Sequence, residues 1–229
     1  MREVNPIIVA LDVETAEQAR QLVDKLGDSA GFYKVGMELY AAAGMPFVRE
    51  LIGAGKQIFL DLKFYDIGET VKRAVAQVAL VEGIRFLTIH AHPSVMRAAK
   101  EGKGGSKLQL LAVTVLTSWT DADLAIDGHP GTVGDLVAKR VANARDCGMD
   151  GLICSPLEVA RVREIAGPDS VLVTPGVRSA GADVGDQKRV ATPEEAIKAG
   201  ANFLVMGRQI TRASDPAAEM ERVASSLRA

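Results

Sequence analysis

The run Asp61, Leu62, Lys63, Phe64, Tyr65, Asp66 places three charges at the end of a segment, Gln57, Ile58, Phe59, Leu60, that is otherwise apolar and β-prone. Residues two apart on a strand share a face, so Asp61 and Lys63 are expected to point the same way, into the interior of a sheet. Burying one ion costs several kcal/mol even after relaxation, and a buried ion pair often stabilises no better than an apolar pair of similar volume. Packing therefore gives little reason for these residues, whereas a reactive site does. A lysine flanked by carboxylates stays cationic and held in place.

Further polar residues interrupt apolar runs elsewhere: Asp12, Lys34, His90 and Thr117. A different signal closes the chain, Thr174, Pro175, Gly176, Val177, Arg178 and then Val205, Met206, Gly207, Arg208. Glycine lets a ligand approach the backbone, amides at a following helix start favour an anion, and arginine adds bidentate donors. The pattern reads as a phosphate grip. His90 and His92 lie two apart and could set two metal ligands on one strand face, but His129 has no evident third ligand beside it, and histidines at strand ends commonly satisfy backbone groups. The expectation is no metal. The lone Trp119 reads as a packing or loop contact, and no Ser/His/Asp triad or nucleophilic cysteine setting stands out.

What must position these groups is a regular alternation. At Gly55, Gly83, Gly148 and Gly200 a helix-like segment closes on glycine and passes within a few residues into an apolar run, the pattern of a helix handing over to a strand. Helix starts are marked by Ser155, Pro156, Leu157, Glu158, by Thr192, Pro193, Glu194, Glu195, and by Thr15 to Gln18. Strand-like runs fall near residues 7–11, 32–35, 58–62, 86–90, 108–116, 151–154, 171–174 and 203–206. Strand and helix alternating along a chain this long imply parallel strands with right-handed crossovers. The predicted fold is α/β, a closed (β/α)8 TIM barrel formed as a single domain over residues 1–229, compact for a class that usually runs to ~250 residues. An open doubly wound sheet is the alternative. The glycine cluster Gly102, Lys103, Gly104, Gly105, Ser106, Lys107 argues against it, because it precedes a strand instead of joining strand to helix; it reads as a flexible connection. In a barrel, Asp12, Lys34, Asp61, Lys63, His90 and Thr117 would collect at the carboxyl ends of the strands, where barrel enzymes build their sites. The long unassigned segments 117–131 and 176–191 follow the fifth and seventh strands, where active-site lids occur.

Of the 229 residues 48% are hydrophobic and 24% charged, enough to bury a large core. A net charge of -2 argues against a general nucleic-acid or anionic-membrane binder, so any anion must be held locally. No apolar run reaches the length of a membrane span, and the first residues lack the pattern of a cleavable leader. Cys147 and Cys154 lack metal-ligand spacing and fit reduced thiols in a cytoplasmic protein.

Over essentially the whole chain these residues resemble the orotidine 5'-phosphate decarboxylase family. The carrying motifs are Ala10, Leu11, Asp12; Tyr33, Lys34, Val35, Gly36; Asp61, Lys63 and Asp66 with Ile67 and Thr70; Val115, Leu116, Thr117, Ser118; Thr174, Pro175, Gly176, Val177, Arg178; Gly185, Asp186, Gln187; and Gly207, Arg208. The resemblance implies cofactor-free decarboxylation of orotidine 5'-phosphate to uridine 5'-phosphate in pyrimidine synthesis. It implies that Lys34, Asp61, Lys63 and Asp66 form an alternating charge array around the reacting carbon, with Lys63 the proton donor. Asp66 and Thr70 would reach into the neighbouring subunit of a homodimer. Asp12 would contact the ribose, Thr117 the pyrimidine, and Gln187, Gly207, Arg208 and Arg178 the phosphate, with residues 178–189 on a closing loop. Where many members have His, Pro and Asn, this chain has Tyr65, Gly68 and Glu69. Two other readings compete. A magnesium-dependent sugar-phosphate lyase or decarboxylase on the same barrel would place an acidic ligand where this chain has Lys34. A non-catalytic nucleotide-phosphate binding protein would not need two lysines and two acids at the reacting end.

Overall fold

The computed structural model describes residues 5–179 and 191–228. Eight strands close into one parallel barrel in sequence order: β1 (Ile7–Ala10), β2 (Phe32–Gly36), β3 (Gln57–Phe64), β4 (Ile84–His90), β5 (Gln109–Val113), β6 (Gly151–Ile153), β7 (Val171–Pro175) and β8 (Phe203–Met206). Closure is made by β8 on β1, where Ile8 faces Val205. The predicted (β/α)8 barrel is thus the observed fold, and each predicted strand overlaps an observed one. The fifth is shorter than predicted, because the chain leaves the sheet after Val113.

Helices wrap the outside: α1 (Ala16–Leu26), α2 (Met37–Gly53), α3 (Gly68–Ala79), α4 (Pro93–Lys103), α5 (Asp121–Ile126), α6 (Val133–Asp146), α7 (Val159–Ala166), α8 (Pro193–Lys198), α9 (Arg208–Thr211) and α10 (Pro216–Ser226). Their ends follow the sequence signals. Thr15 Oγ1 accepts from the Gln18 amide at 3.2 Å and Thr192 Oγ1 from the Glu195 amide at 3.2 Å, relieving unpaired donors of the first turn. The Ser155 signal opens a short 3-10 turn, Pro156–Glu158, and α7 follows it. Gly55, Gly83, Gly148 and Gly200 all have positive φ, the conformation a hand-over from helix to strand requires.

Two predictions need correction. Residues 117–131 are not all loop: Thr120 and Asp123 form a reciprocal capping box that starts α5 inside them. Gly102 is not part of a flexible connection. It lies in the last turn of α4, pressed so closely against the Lys72 carbonyl of α3 that a Cβ there would collide with backbone.

Between strands and helices lies the larger apolar core, which includes Val9, Leu11, Tyr33, Leu60, Leu87 and Leu204. A second cluster fills the barrel lumen with Ile8, Ala10, Phe32, Phe59, Phe86, Leu111, Val173, Phe203 and Val205. Phe86 sits at the centre of its rings, 5.3 Å from Phe32, 6.0 Å from Phe59 and 5.3 Å from Phe203, in the tilted and edge-on contacts aromatic quadrupoles favour. The Arg85 guanidinium lies 4.8 Å from the Phe203 ring. The lumen is therefore a packed plug, and polar chemistry is confined to the mouth above it.

Candidate active site

A cavity of about 880 Å³ opens at the carboxyl ends of the strands, within the size range of small-molecule sites. Its floor holds an unbroken chain of alternating charge. Asp12 follows β1 and accepts from Lys34 Nζ at 2.7 Å; Lys34 Nζ lies 3.8 Å from Asp61 Oδ2; Asp61 Oδ1 accepts from Lys63 Nζ at 2.9 Å. One carboxylate, Asp61, thus stands between two ammonium groups. Exposure falls from the rim inward: the Asp12 side chain is 59% exposed, Lys63 25%, Asp61 15% and Lys34 10%. Desolvation at that depth would be costly for any one charge alone, and the alternation of sign offsets it.

The geometry of β3 explains how Lys63 reaches this row. Leu60 pairs with Leu87 and Phe64 with Ile89, so Asp61, Leu62 and Lys63 are opposed by one residue of β4, Thr88. A bulge of this kind re-aims side chains at the rim of a barrel. Lys63 has φ 49°, the one positive value among the described non-glycine residues, a conformation that costs on the order of 1–3 kcal/mol. The strand-face prediction placed Asp61 and Lys63 on the same side, and they are; a bulge, instead of regular pleating, carries Lys63 there.

Around the charged row, Thr117, Arg178, Gly207 and Arg208 line the same cavity, with apolar walls from Val113, Ile153, Pro175 and Val205. The Arg178 amide donates to Ala191 O at 3.0 Å, and an isolated bridge joins Val177 to Ala191, so the two ends of segment 176–191 are tied at its base. His90 is half-buried, with the Tyr65 ring 5.2 Å from its own. Burial first, then the charges of Arg140 and Lys63, hold its imidazole below the usual histidine range, which keeps it neutral at pH 7. The same Tyr65 ring lies 6.1 Å from that of His92, whose Nδ1 is 2.9 Å from Ser94 Oγ.

Residues 5–223 match the family model described as Orotidine 5'-phosphate decarboxylase / HUMPS family. The chain belongs to that family. An orotidine 5'-phosphate decarboxylase of Rhodopseudomonas palustris is 51% identical over 223 residues, covering 97% of this chain and 94% of the relative. One from Bradyrhizobium is 52% identical over 221 residues, covering 96% of this chain and 90% of the relative. The crystal structure of orotidine 5'-phosphate decarboxylase from Lactobacillus acidophilus superposes with a TM-score of 0.87 at 39% identity, covering 98% of this chain and all of that one. The resemblance drawn from the motifs is borne out, and the enzyme class it carried is the one these decarboxylases share.

Of the residues the decarboxylase motifs single out, Asp12, Lys34, Asp61, Lys63, Thr117, Arg178, Gly207 and Arg208 meet in the one cavity. Asp66 and Thr70 do not line it. Asp66 is exposed, and its Oδ1 accepts from the Ile67 amide at 2.6 Å. Gln187, with Gly185 and Asp186, lies outside the described residues. The departures from the usual decarboxylase pattern stand clear of the charged row. Tyr65 packs on His90, Gly68 opens α3, and Glu69 pairs with Arg73 at 3.7 Å on the surface.

Four residues given no role from the sequence also shape the site. Thr88 is fully buried beneath the bulge and touches both Asp61 and Lys63. Gly36 makes room for the first ion pair, since a Cβ there would lie 2.9 Å from Lys34 Nζ and 3.3 Å from Asp12 Oδ1. Arg140 on α6 donates to the Thr114 carbonyl and fixes the exit of β5 toward Thr117. Cys154 is buried in the cavity wall. Gly36 had a signal, its place in the Lys34 motif. Thr88 had none, because a threonine inside an apolar strand reads as ordinary β propensity.

Proposed function

We propose that this chain decarboxylates orotidine 5'-phosphate to uridine 5'-phosphate without a cofactor, as a step of pyrimidine nucleotide synthesis in the cytoplasm, with Lys63 as the proton donor. The observation that carries this reading is the row Asp12, Lys34, Asp61, Lys63, already assembled with alternating sign in a cavity that also holds two arginines. Losing carbon dioxide breaks a carbon–carbon bond and leaves its electron pair on an sp² ring carbon, where no carbonyl is placed to accept it. The site must therefore stabilise localised negative charge and neutralise it at once. The Lys63 ammonium is suited to both tasks: its charge attracts the developing carbanion, and one of its N–H protons becomes the new C–H bond. The neutral amine then recovers a proton from solvent. Asp61 holds that ammonium at 2.9 Å, which spares the reaction the cost of orienting it.

In the same cavity Arg178, Arg208 and the Gly207 backbone suit the substrate phosphate, with Gln187 assigned there by its motif. Phosphate binding away from the reacting carbon supplies binding energy that the chemical step can use; the closing loop assigned to residues 178–189 falls, from residue 180 on, outside the described residues. Asp12 is assigned to the ribose and Thr117 to the pyrimidine. Asp66 and Thr70 complete the site of a second copy. Consistent with that role, the exposed Asp66 is flanked by Tyr65, 64% exposed, and Ile67, 74% exposed, apolar side chains that a homodimer would cover. The thiols of Cys147 and Cys154 suit a reducing compartment, and no helix among the described residues is long and apolar enough to cross a membrane.

The test is the ultraviolet absorbance of orotidine 5'-phosphate over time with purified, chelator-treated protein. Conversion to the uridine 5'-phosphate spectrum is expected. Activity abolished by the chelator, or tight binding with no spectral change, would overturn the reading.

A further inference from the structure

Lys63 and Asp61 are held by a single hydroxyl that carries no charge and lies outside the cavity wall. Thr88 on β4 is fully buried in the top layer of the lumen, above Phe86. Its Oγ1 lies 2.9 Å from the Lys63 backbone nitrogen and 2.9 Å from Asp61 Oδ1. The proton positions follow without ambiguity. A backbone N–H can only donate, so the hydroxyl accepts from Lys63 and must spend its own proton on the carboxylate. Asp61 Oδ1 is the same oxygen that accepts from Lys63 Nζ. Both ends of Lys63, main chain and side chain, are thereby referred to one point.

The bulge gives this contact its purpose. With three residues of β3 facing one of β4, the Lys63 amide has lost its place in the parallel ladder, and the residue is twisted to φ 49°. A buried unpaired amide and a strained φ persist only when the surroundings over-determine them. The Thr88 hydroxyl supplies that constraint, standing in for the missing ladder acceptor while fixing the carboxylate that orients the ammonium. We propose that Thr88 is a positioning residue for decarboxylation, locking the β3 bulge so that Lys63 is presented to the reacting carbon in one geometry. The inference rests on the assignment of Lys63 as proton donor.

Thr88→Val keeps shape and removes the hydroxyl, whereas Thr88→Ser keeps the hydroxyl and removes a methyl. With orotidine 5'-phosphate, Thr88→Val is expected to lower kcat about 10- to 100-fold while KM changes less than about threefold, because a small misplacement of a reacting group is felt in the chemical step. Thr88→Ser is expected to restore kcat to within about threefold of the unmodified enzyme, even if its smaller side chain lowers Tm. A structural role alone would make activity follow Tm across the pair. Wild-type kcat in Thr88→Val, or equal loss in both variants, would overturn the proposal. Should Thr88→Val fail to fold, amide hydrogen exchange in the unmodified protein decides: the Lys63 amide is expected to be protected, and exchange as fast as an exposed amide would overturn it. Lys63→Ala assayed in parallel separates the two claims, since turnover retained there refutes the proton donor, whereas turnover lost there beside an unaffected Thr88→Val refutes only the positioning role.

Discussion

At the scale of single residues, the site depends on where small groups leave room as much as on where charged ones stand. Gly36 illustrates this. A Cβ at that position would meet Lys34 Nζ at 2.9 Å, the free end of a long side chain, so the protein can accommodate it by moving the ammonium. Its φ of -90° is open to alanine, and backbone strain does not enter. Gly36 is itself buried and borders a lysine only 8% exposed, so Gly36→Ala is expected to cost about 1–3 kcal/mol as the ammonium is moved off Asp12. The displaced Lys34 is expected to lower kcat/KM by about 10- to 100-fold. Urea denaturation and steady-state kinetics on the same preparation check both halves. Asp61 is the opposite kind of residue, fixed by Lys63, Thr88 and the nearby Lys34 within 3.8 Å. Lone charges could be picked out of the sequence because ions inside apolar runs are rare, but the distances among them depend on side chains from different strands.

At the scale of elements, hydrophobic runs and caps were enough to find every strand and several helix ends. Thr15, Thr192 and the hand-over glycines behave as their local chemistry dictates. What the sequence hid was contact between elements. The bulge at residues 61–63 exists only relative to β4, and Gly102 reads as a loop glycine until α3 is packed against it. Gly102→Ala tests that packing. The gain in helix propensity is at most about 1 kcal/mol. The collision is with the Lys72 carbonyl, main chain that cannot swing aside, and overpacking costs about 1–3 kcal/mol. Net destabilisation is expected in urea unfolding, with kcat unchanged because the contact lies on the outer helical layer. Gly36→Ala lowers activity where Gly102→Ala does not, and the pair separates site geometry from scaffold packing. α5 was missed for a related reason: Thr120 and Asp123 do form a capping box, but only six helical residues follow it, too few for hydrophobic periodicity to register.

At the scale of the molecule, the barrel divides its labour: phenylalanines close the lumen, and the charges gather above them at one end. Asp66 and Thr70 carry the motif but stand outside the cavity of their own chain, which is what a site shared between two copies requires. Lys63→Ala and Asp66→Ala should each be inactive alone. After subunit exchange in an equal mixture, half the dimers are hybrids with one intact site, so about a quarter of wild-type activity should return. No recovery despite demonstrated exchange would count against the shared site. Decarboxylation as proposed requires residue 63 to deliver the proton. Its most direct test is turnover of orotidine 5'-phosphate by Lys63→Ala beside binding of uridine 5'-phosphate to the same protein. A general acid contributes about 10²- to 10⁴-fold, so turnover is expected to fall at least that far while product affinity stays within about tenfold. Turnover within a few fold of the unmodified enzyme would contradict it.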